Sequence, residues 1–121
     1  MVNFLAPAKN PETVFEWRSY ESPTESLHEK KVRMFEQEEI TLFKKLNFNV
    51  VFYAKVISGT RMPNFIYMPS FSSVDDRNAH WKTFGADPDW KTMQTRPEYE
   101  SKVSVSRIES VLMKAAEYSD L

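Results

Sequence analysis

The stretch Val14-Phe15-Glu16-Trp17-Arg18-Ser19-Tyr20-Glu21-Ser22-Pro23-Thr24-Glu25 decides how the rest of the chain is read. Val14 to Glu21 alternates imperfectly between apolar and polar residues and is rich in aromatics, which predicts a first strand. Three helix-start preferences follow at once. Ser22 can cap, Pro23 suits a first turn, and Glu25 stands where a capping box places its carboxylate. Neighbours in a strand point to opposite faces, so Trp17 and Arg18 cannot look into the same space.

Working outward, the predicted helix runs to about Leu46. Leu27, Met34, Phe35, Leu42, Phe43 and Leu46 form one apolar stripe at helical spacing. Glu29, Lys30, Arg33, Glu36, Gln37, Lys44 and Lys45 take the opposite face, and the group Glu36, Glu38 and Glu39 reads as solvated. Asn47-Phe48-Asn49 is a turn. Val50 to Ile57 is β-favouring and predicts a second strand. Ser58 to Asn64, with Gly59, is a hairpin loop. Phe65 to Phe71 predicts a third strand, irregular or at an edge because Pro69 has no N–H for a ladder. Ser73 caps a second helix with Val74, Trp81 and Phe84 on its apolar side and Gly85 at its end. Asp87-Pro88 opens a further short helix by the same cap-then-proline logic. Arg96-Pro97 breaks it, and Val103 to Met113 predicts the last strand.

The order β-α-β-β-α-β is the split βαβ, ferredoxin-like arrangement of the α+β class. It places both helices on one face of a four-stranded antiparallel sheet. The strands carry large apolar groups at both parities, so the second face is apolar as well. A second copy of the chain is the economical cover for it.

The segment Phe15-Glu16-Trp17-Arg18-Ser19-Tyr20 resembles the opening of NIPSNAP domains, where an aromatic-Glu-Leu-Arg-x-Tyr strand leads into the first helix. Trp17 stands here where Leu is common. Trp81-Lys82-Thr83-Phe84-Gly85-Ala86-Asp87-Pro88-Asp89-Trp90 is similar to that family's W-x-x-F-x-x-D-P-E-W signature, with Asp89 in place of Glu. Met62 to Met68 resembles its second hairpin. The resemblance covers about Phe15 to Leu121. It implies a domain over residues 14–121 assembled as a dimeric α+β barrel, and it makes Met1 to Thr13 a tail, or a linker if the chain is the C-terminal member of a two-domain protein. It implies interaction with proteins or small molecules without an established reaction. By analogy with other dimeric α+β barrels, the alternative is a cofactor-independent monooxygenase acting on a small aromatic substrate between sheet and helices.

Composition limits the chemistry. The 121 residues suit one domain, and 41% hydrophobic with 27% charged residues is a globular profile. Nine Phe, five Tyr and three Trp exceed what a small core absorbs, so some belong to a pocket or an interface. With no Cys, disulfides and thiolate chemistry are excluded. The 16 basic and 17 acidic residues are dispersed and give no nucleic-acid footprint. The longest apolar run, Val50 to Ala54, is far short of the roughly 20 residues of a membrane helix. The expectation is a cytoplasmic homodimer with no membrane insertion, holding an apolar or aromatic ligand.

The candidate ligand-binding residues are Trp17, Tyr20, Tyr53 and Tyr67 on the strands, and His28, His80, Trp81 and Trp90 on the helices. Tyr and Trp bring a polar tip into apolar space, which suits an aromatic ligand, and core or interface packing suits them equally. The two histidines read as surface or boundary residues with no carboxylate at metal-site spacing, so neither a metal nor a cofactor is expected; haem ligation by either is the reading to test against. Trp81, Phe84 and Trp90 read as a packing cluster and Asp87 as a helix cap.

Overall fold

The computed structural model describes residues 10–96 and 105–121. Strand β1 (Val14–Glu21) is followed by α1 (Glu25–Met34), a π-helical turn (Phe35–Glu39) and α2 (Ile40–Lys45). Then come β2 (Asn49–Lys55), β3 (Asn64–Phe71), α3 (Val74–Ala86), α4 (Pro88–Gln94) and β4 (Arg107–Met113). The sheet order is β2-β3-β1-β4 with every pairing antiparallel. This is the ferredoxin-like α+β arrangement read from the sequence.

Several local expectations shift. The cap of α1 is Thr24, whose Oγ1 accepts from the Leu27 amide at 3.1 Å. Ser22 does not cap: its Oγ is buried with no hydrogen-bond partner among the described residues. Helix α3 runs through Gly85 to Ala86, and Asp87 both closes α3 and caps α4, accepting from the Asp89 amide at 2.8 Å. Val74, expected on the apolar side of that helix, is exposed. Asn47 takes the left-handed conformation (φ 62°) just past α2, the backbone state an Asn tolerates at a helix end. Strand β2 starts at Asn49 and stops at Lys55. Strand β4 starts only at Arg107; residues 103 and 104 lie outside the described residues.

Pro69 is a finding of its own. Strand β3 is central, not an edge, yet it carries a proline. The missing N–H is absorbed by a register shift between Val50 and Phe52 of the paired β2.

The core lies between the sheet and the helices. Phe35 packs on Phe65 at 4.8 Å and Tyr67 at 5.0 Å between ring centroids, and Phe43 on Phe48 at 4.9 Å and Phe84 at 5.3 Å. The helix stripe predicted from spacing is therefore largely real, but it does not run through an unbroken α-helix. A π turn spans Phe35–Glu39, and Glu39, four residues from both Phe35 and Phe43, lies on the face of the stripe and is buried instead of solvated.

Candidate functional site

Glu16, Arg18 and Tyr20 share one parity on β1, and all three face the helices. The Glu16 carboxylate is fully buried. It accepts from Arg77 Nε at 2.9 Å and Nη2 at 3.2 Å, Trp81 Nε1 at 2.8 Å, Ser110 Oγ at 2.6 Å and Arg18 Nη1 at 2.8 Å. Burial pushes its pKa up, but the donors Arg77, Ser110, Trp81 and Arg18 outweigh this and hold it down at about 2. Glu16 is thus a permanent anion that ties β1 to α3 and β4.

Arg18 is the hinge between this anion and a tyrosine pair. Its Nε donates to the Tyr67 hydroxyl at 3.0 Å and the Tyr20 hydroxyl at 3.3 Å, and its Nη2 donates to Tyr20 at 3.0 Å. The two hydroxyls lie 3.0 Å apart. The guanidinium lies 4.6 Å from the Trp81 ring centroid, a cation–π contact. Burial raises the pKa of both tyrosines and keeps them protonated, so they offer hydrogen bonds and no nucleophile at neutral pH.

Glu39 sits behind this pair. Its Oε1 has no hydrogen-bond partner among the described residues. Burial pushes its pKa up to about 7, against the opposing charges of Lys31 and Arg18. The same charge helps raise Tyr53, after burial, to about 12. Burial lowers Lys31, while Glu39 pulls it back up. Each of the two charges thus opposes the shift that burial gives the other.

The predicted site residues do not form one site. Tyr20, Tyr67 and Trp81 come together around Arg18. Tyr53 stacks on Tyr67 at 6.0 Å as part of the core. Trp17 is on the opposite sheet face, edge-on to Phe52 at 5.9 Å. Trp90 packs on Phe84 at 4.6 Å and Trp81 on Phe84 at 5.4 Å, the packing cluster read from the sequence. His80 Nδ1 is 2.9 Å from the Asp76 carbonyl and 3.1 Å from its carboxylate, with its ring against Phe48. His28 is not at the boundary but buried, and its Nδ1 has no partner among the described residues.

Contrary to the spacing argument, His28 does have carboxylates nearby. Glu25, His28 and Glu29 each bring one ligand atom within 4.8 Å of the others, as positions i, i+3 and i+4 of a helix must. These are the residues that could hold a cation. Two of them lie on the outer helix surface, where such clusters are common without one. A separate cavity of about 360 Å³ lies between α2 and α4, lined by Glu38, Thr41, Lys45, Asp89, Met93 and Arg96. Its charges are spent, with Lys45 on Asp87 and Asp89 and Arg96 on Glu38.

Glu16, Arg77, Ser110 and Lys31 were not singled out by the sequence, and Glu39, read as solvated, is buried. Parity was the available signal: a strand with Glu16, Arg18 and Tyr20 on one face puts three polar groups where the helices must pack.

Comparison with known proteins agrees with this fold. The NIPSNAP family profile matches residues 15–120. A NIPSNAP family protein from Agrobacterium tumefaciens is similar in structure with a TM-score of 0.80 at 18% identity, covering 95% of this chain and 96% of that one. Another from the same organism, with unknown function, gives 0.78 at 23% identity over 92% and 95%. A cofactor-independent oxygenase from Streptomyces nogalater shares the fold more distantly, with a TM-score of 0.56 at 11% identity over 88% and 95%. No curated protein matches. No helix among the described residues is long and apolar enough to cross a membrane. The chain belongs to the NIPSNAP family.

Proposed function

We propose that this chain is a cytoplasmic homodimeric binding module, two sheets facing each other, with a small molecule taken on the helix side of each. The observation that carries the dimer is the sheet face turned away from the helices. Directly paired residues share a face, so Trp17 with Val111, Phe15 with Met113, and Phe52 with Met68 all lie on it. Trp17 is 36% and Val111 50% exposed. Phe15 and Met68 are already buried within the chain; the exposed part of this apolar face, led by Trp17, Val111 and Met113, marks an interface, and each Å² left in water forgoes about 25 cal/mol. A second copy fits because a two-fold axis lets one patch complement itself.

The Arg18 cluster supports the small-molecule half. The rings of Phe35, Phe43, Phe65 and Tyr67 occupy the sheet–helix space where an oxygenase needs a substrate cavity, which weighs against the monooxygenase alternative. Light scattering at micromolar concentration tests the dimer. About twice the 14.2 kDa chain mass is expected, and the monomer mass sinks the reading.

A further inference from the structure

Two guanidiniums close on one carboxylate. Arg18 and Arg77 both bond Glu16, and no other carboxylate among the described residues bonds either of them. Arg77 completes its contacts on the neutral Asn78 side chain at 3.0 Å. The cluster therefore carries one positive charge that its own partners do not cancel.

The uncancelled charge has an address. A guanidinium has five N–H groups. Arg18 commits its Nε–H to the two tyrosine hydroxyls, one Nη2–H to Tyr20 and one Nη1–H to Glu16. One N–H on each terminal nitrogen is left without a partner among the described residues. The side chain keeps 17% of its surface exposed. Trp81 covers one face of the guanidinium plane. Across the ladder Arg18 pairs with Ser110, and Ile108 and Leu112 stand on the same face of β4, both exposed.

We infer that this strip between β4 and α3 binds a small organic carboxylate with an apolar body, its two oxygens on the terminal nitrogens of Arg18 and its body along Ile108 and Leu112. The inference rests on the reading of the chain as a small-molecule-binding module, and it names the ligand class. Charge selects a monoanion, because a single positive charge is uncancelled. The free donors select a planar acceptor with two oxygens, the geometry that arginine serves in bidentate fashion. The exposed Ile and Leu reward a hydrocarbon body and give inorganic phosphate nothing. Glu16 excludes the opposite preference: a cationic ligand would meet two arginines before reaching it.

The test uses the full chain with 2-naphthoate as probe, its neutral analogue 2-naphthamide, and inorganic phosphate. Binding is followed by calorimetry and by amide and indole shifts in NMR spectra. The expected result is saturable naphthoate binding with shifts at Arg18, Ser110 and the Trp81 indole, and affinity at least about 30-fold above the amide, the worth of a charge-assisted pair of hydrogen bonds. Phosphate should not compete. Arg18→Gln should abolish the preference for the acid. Because that variant disturbs the Glu16 network, Ile108→Asp is the second arm. It changes an exposed residue, keeps every hydrogen bond of the cluster, and should weaken naphthoate about 10-fold or more by like-charge repulsion. Equal binding of acid and amide on this strip would overturn the carboxylate assignment while the binding-module reading stands. Naphthoate shifts confined to the α2–α4 cavity or the open sheet face would overturn the site. No binding of either probe up to about 10 mM would overturn both site and class, while light scattering reports separately on the dimer.

Discussion

The two faces of β1 invert the usual division of labour. The face under the helices carries Glu16, Arg18 and Tyr20, all polar and all hydrogen-bonded. The face away from them carries Phe15 and Trp17, with Phe52, Val111 and Met113 beside them. A strand normally puts apolar groups against its helices and polar groups toward water. Here the covered side buys a fixed anion–cation network, and the open side is left to be buried by something else. The difference separates the two properties experimentally: one face should govern the stability of the single chain and the other its assembly.

The largest effect belongs to the covered face. Glu16→Gln leaves Arg18 and Arg77 facing each other without their shared counter-charge. Breaking a buried pair from one side costs about 3–5 kcal/mol, and a loss of at least about 3 kcal/mol is expected in urea unfolding at pH 7. A loss under about 1 kcal/mol would mean that the network is ornamental and that the aromatic core alone holds α3 on the sheet.

Acid and base should act on the same face with opposite signs. Glu16 is held at about 2 against an ordinary 4.5, so its stabilisation is complete above pH 4.5 and is lost as pH falls toward 2. Glu39 is raised from 4.5 to about 7, so its contribution is complete below pH 4.5 and is lost as pH rises through 7. The second change is on the order of 3 kcal/mol at one pKa unit per 1.4 kcal/mol. Glu39→Gln should remove the decline between pH 4.5 and 7 and leave the acid limb intact. An unchanged profile in the variant would assign the decline to another group.

How much of this contrast could be read from the chain is instructive. The β-α-β-β-α-β order, the apolar second face and the Asp87 cap are local properties of spacing and turn chemistry, so they were legible. The statement that Trp17 and Arg18 cannot share a space was also legible; which of them faces the helices was not. The Glu16 network was hidden because its partners are 61, 65 and 94 residues away at Arg77, Trp81 and Ser110, and no short window contains them. Glu39 was misread for a different reason. Its charge and its place beside Glu36 and Glu38 point to water, yet it stands four residues from both Phe35 and Phe43, on the apolar stripe itself. His28 failed similarly: a lone histidine in a charged first turn reads as wet, and its burial comes from what packs on α1.

On the open face the test is association. Trp17→Asp removes the largest exposed ring and puts a charge at the centre of the proposed dimer surface. Hot-spot residues of this kind are worth about 2 kcal/mol or more, so dimer dissociation should shift at least about 30-fold in analytical ultracentrifugation. The unfolding free energy of the isolated chain should move little, because the side chain is already a third exposed. A dimer of unchanged strength would move the interface elsewhere.

The smallest effect sharpens the comparison most, because it uses two neighbours. Ser110 and Val111 are consecutive on β4 and pair with Arg18 and Trp17 respectively. Ser110→Ala deletes one hydrogen bond to Glu16, that of Ser110 Oγ at 2.6 Å. It should cost about 1 kcal/mol of chain stability and leave the dimer as it was. Val111→Ala trims a half-exposed side chain on the other face. It should leave chain stability within about 0.5 kcal/mol and weaken the dimer a few-fold. Unfolding and sedimentation measured on both variants give four numbers, and the two faces predict a crossed pattern. If both substitutions moved both quantities, the strand would be transmitting strain between its faces, and the separation of stability from assembly would fail at its most direct point.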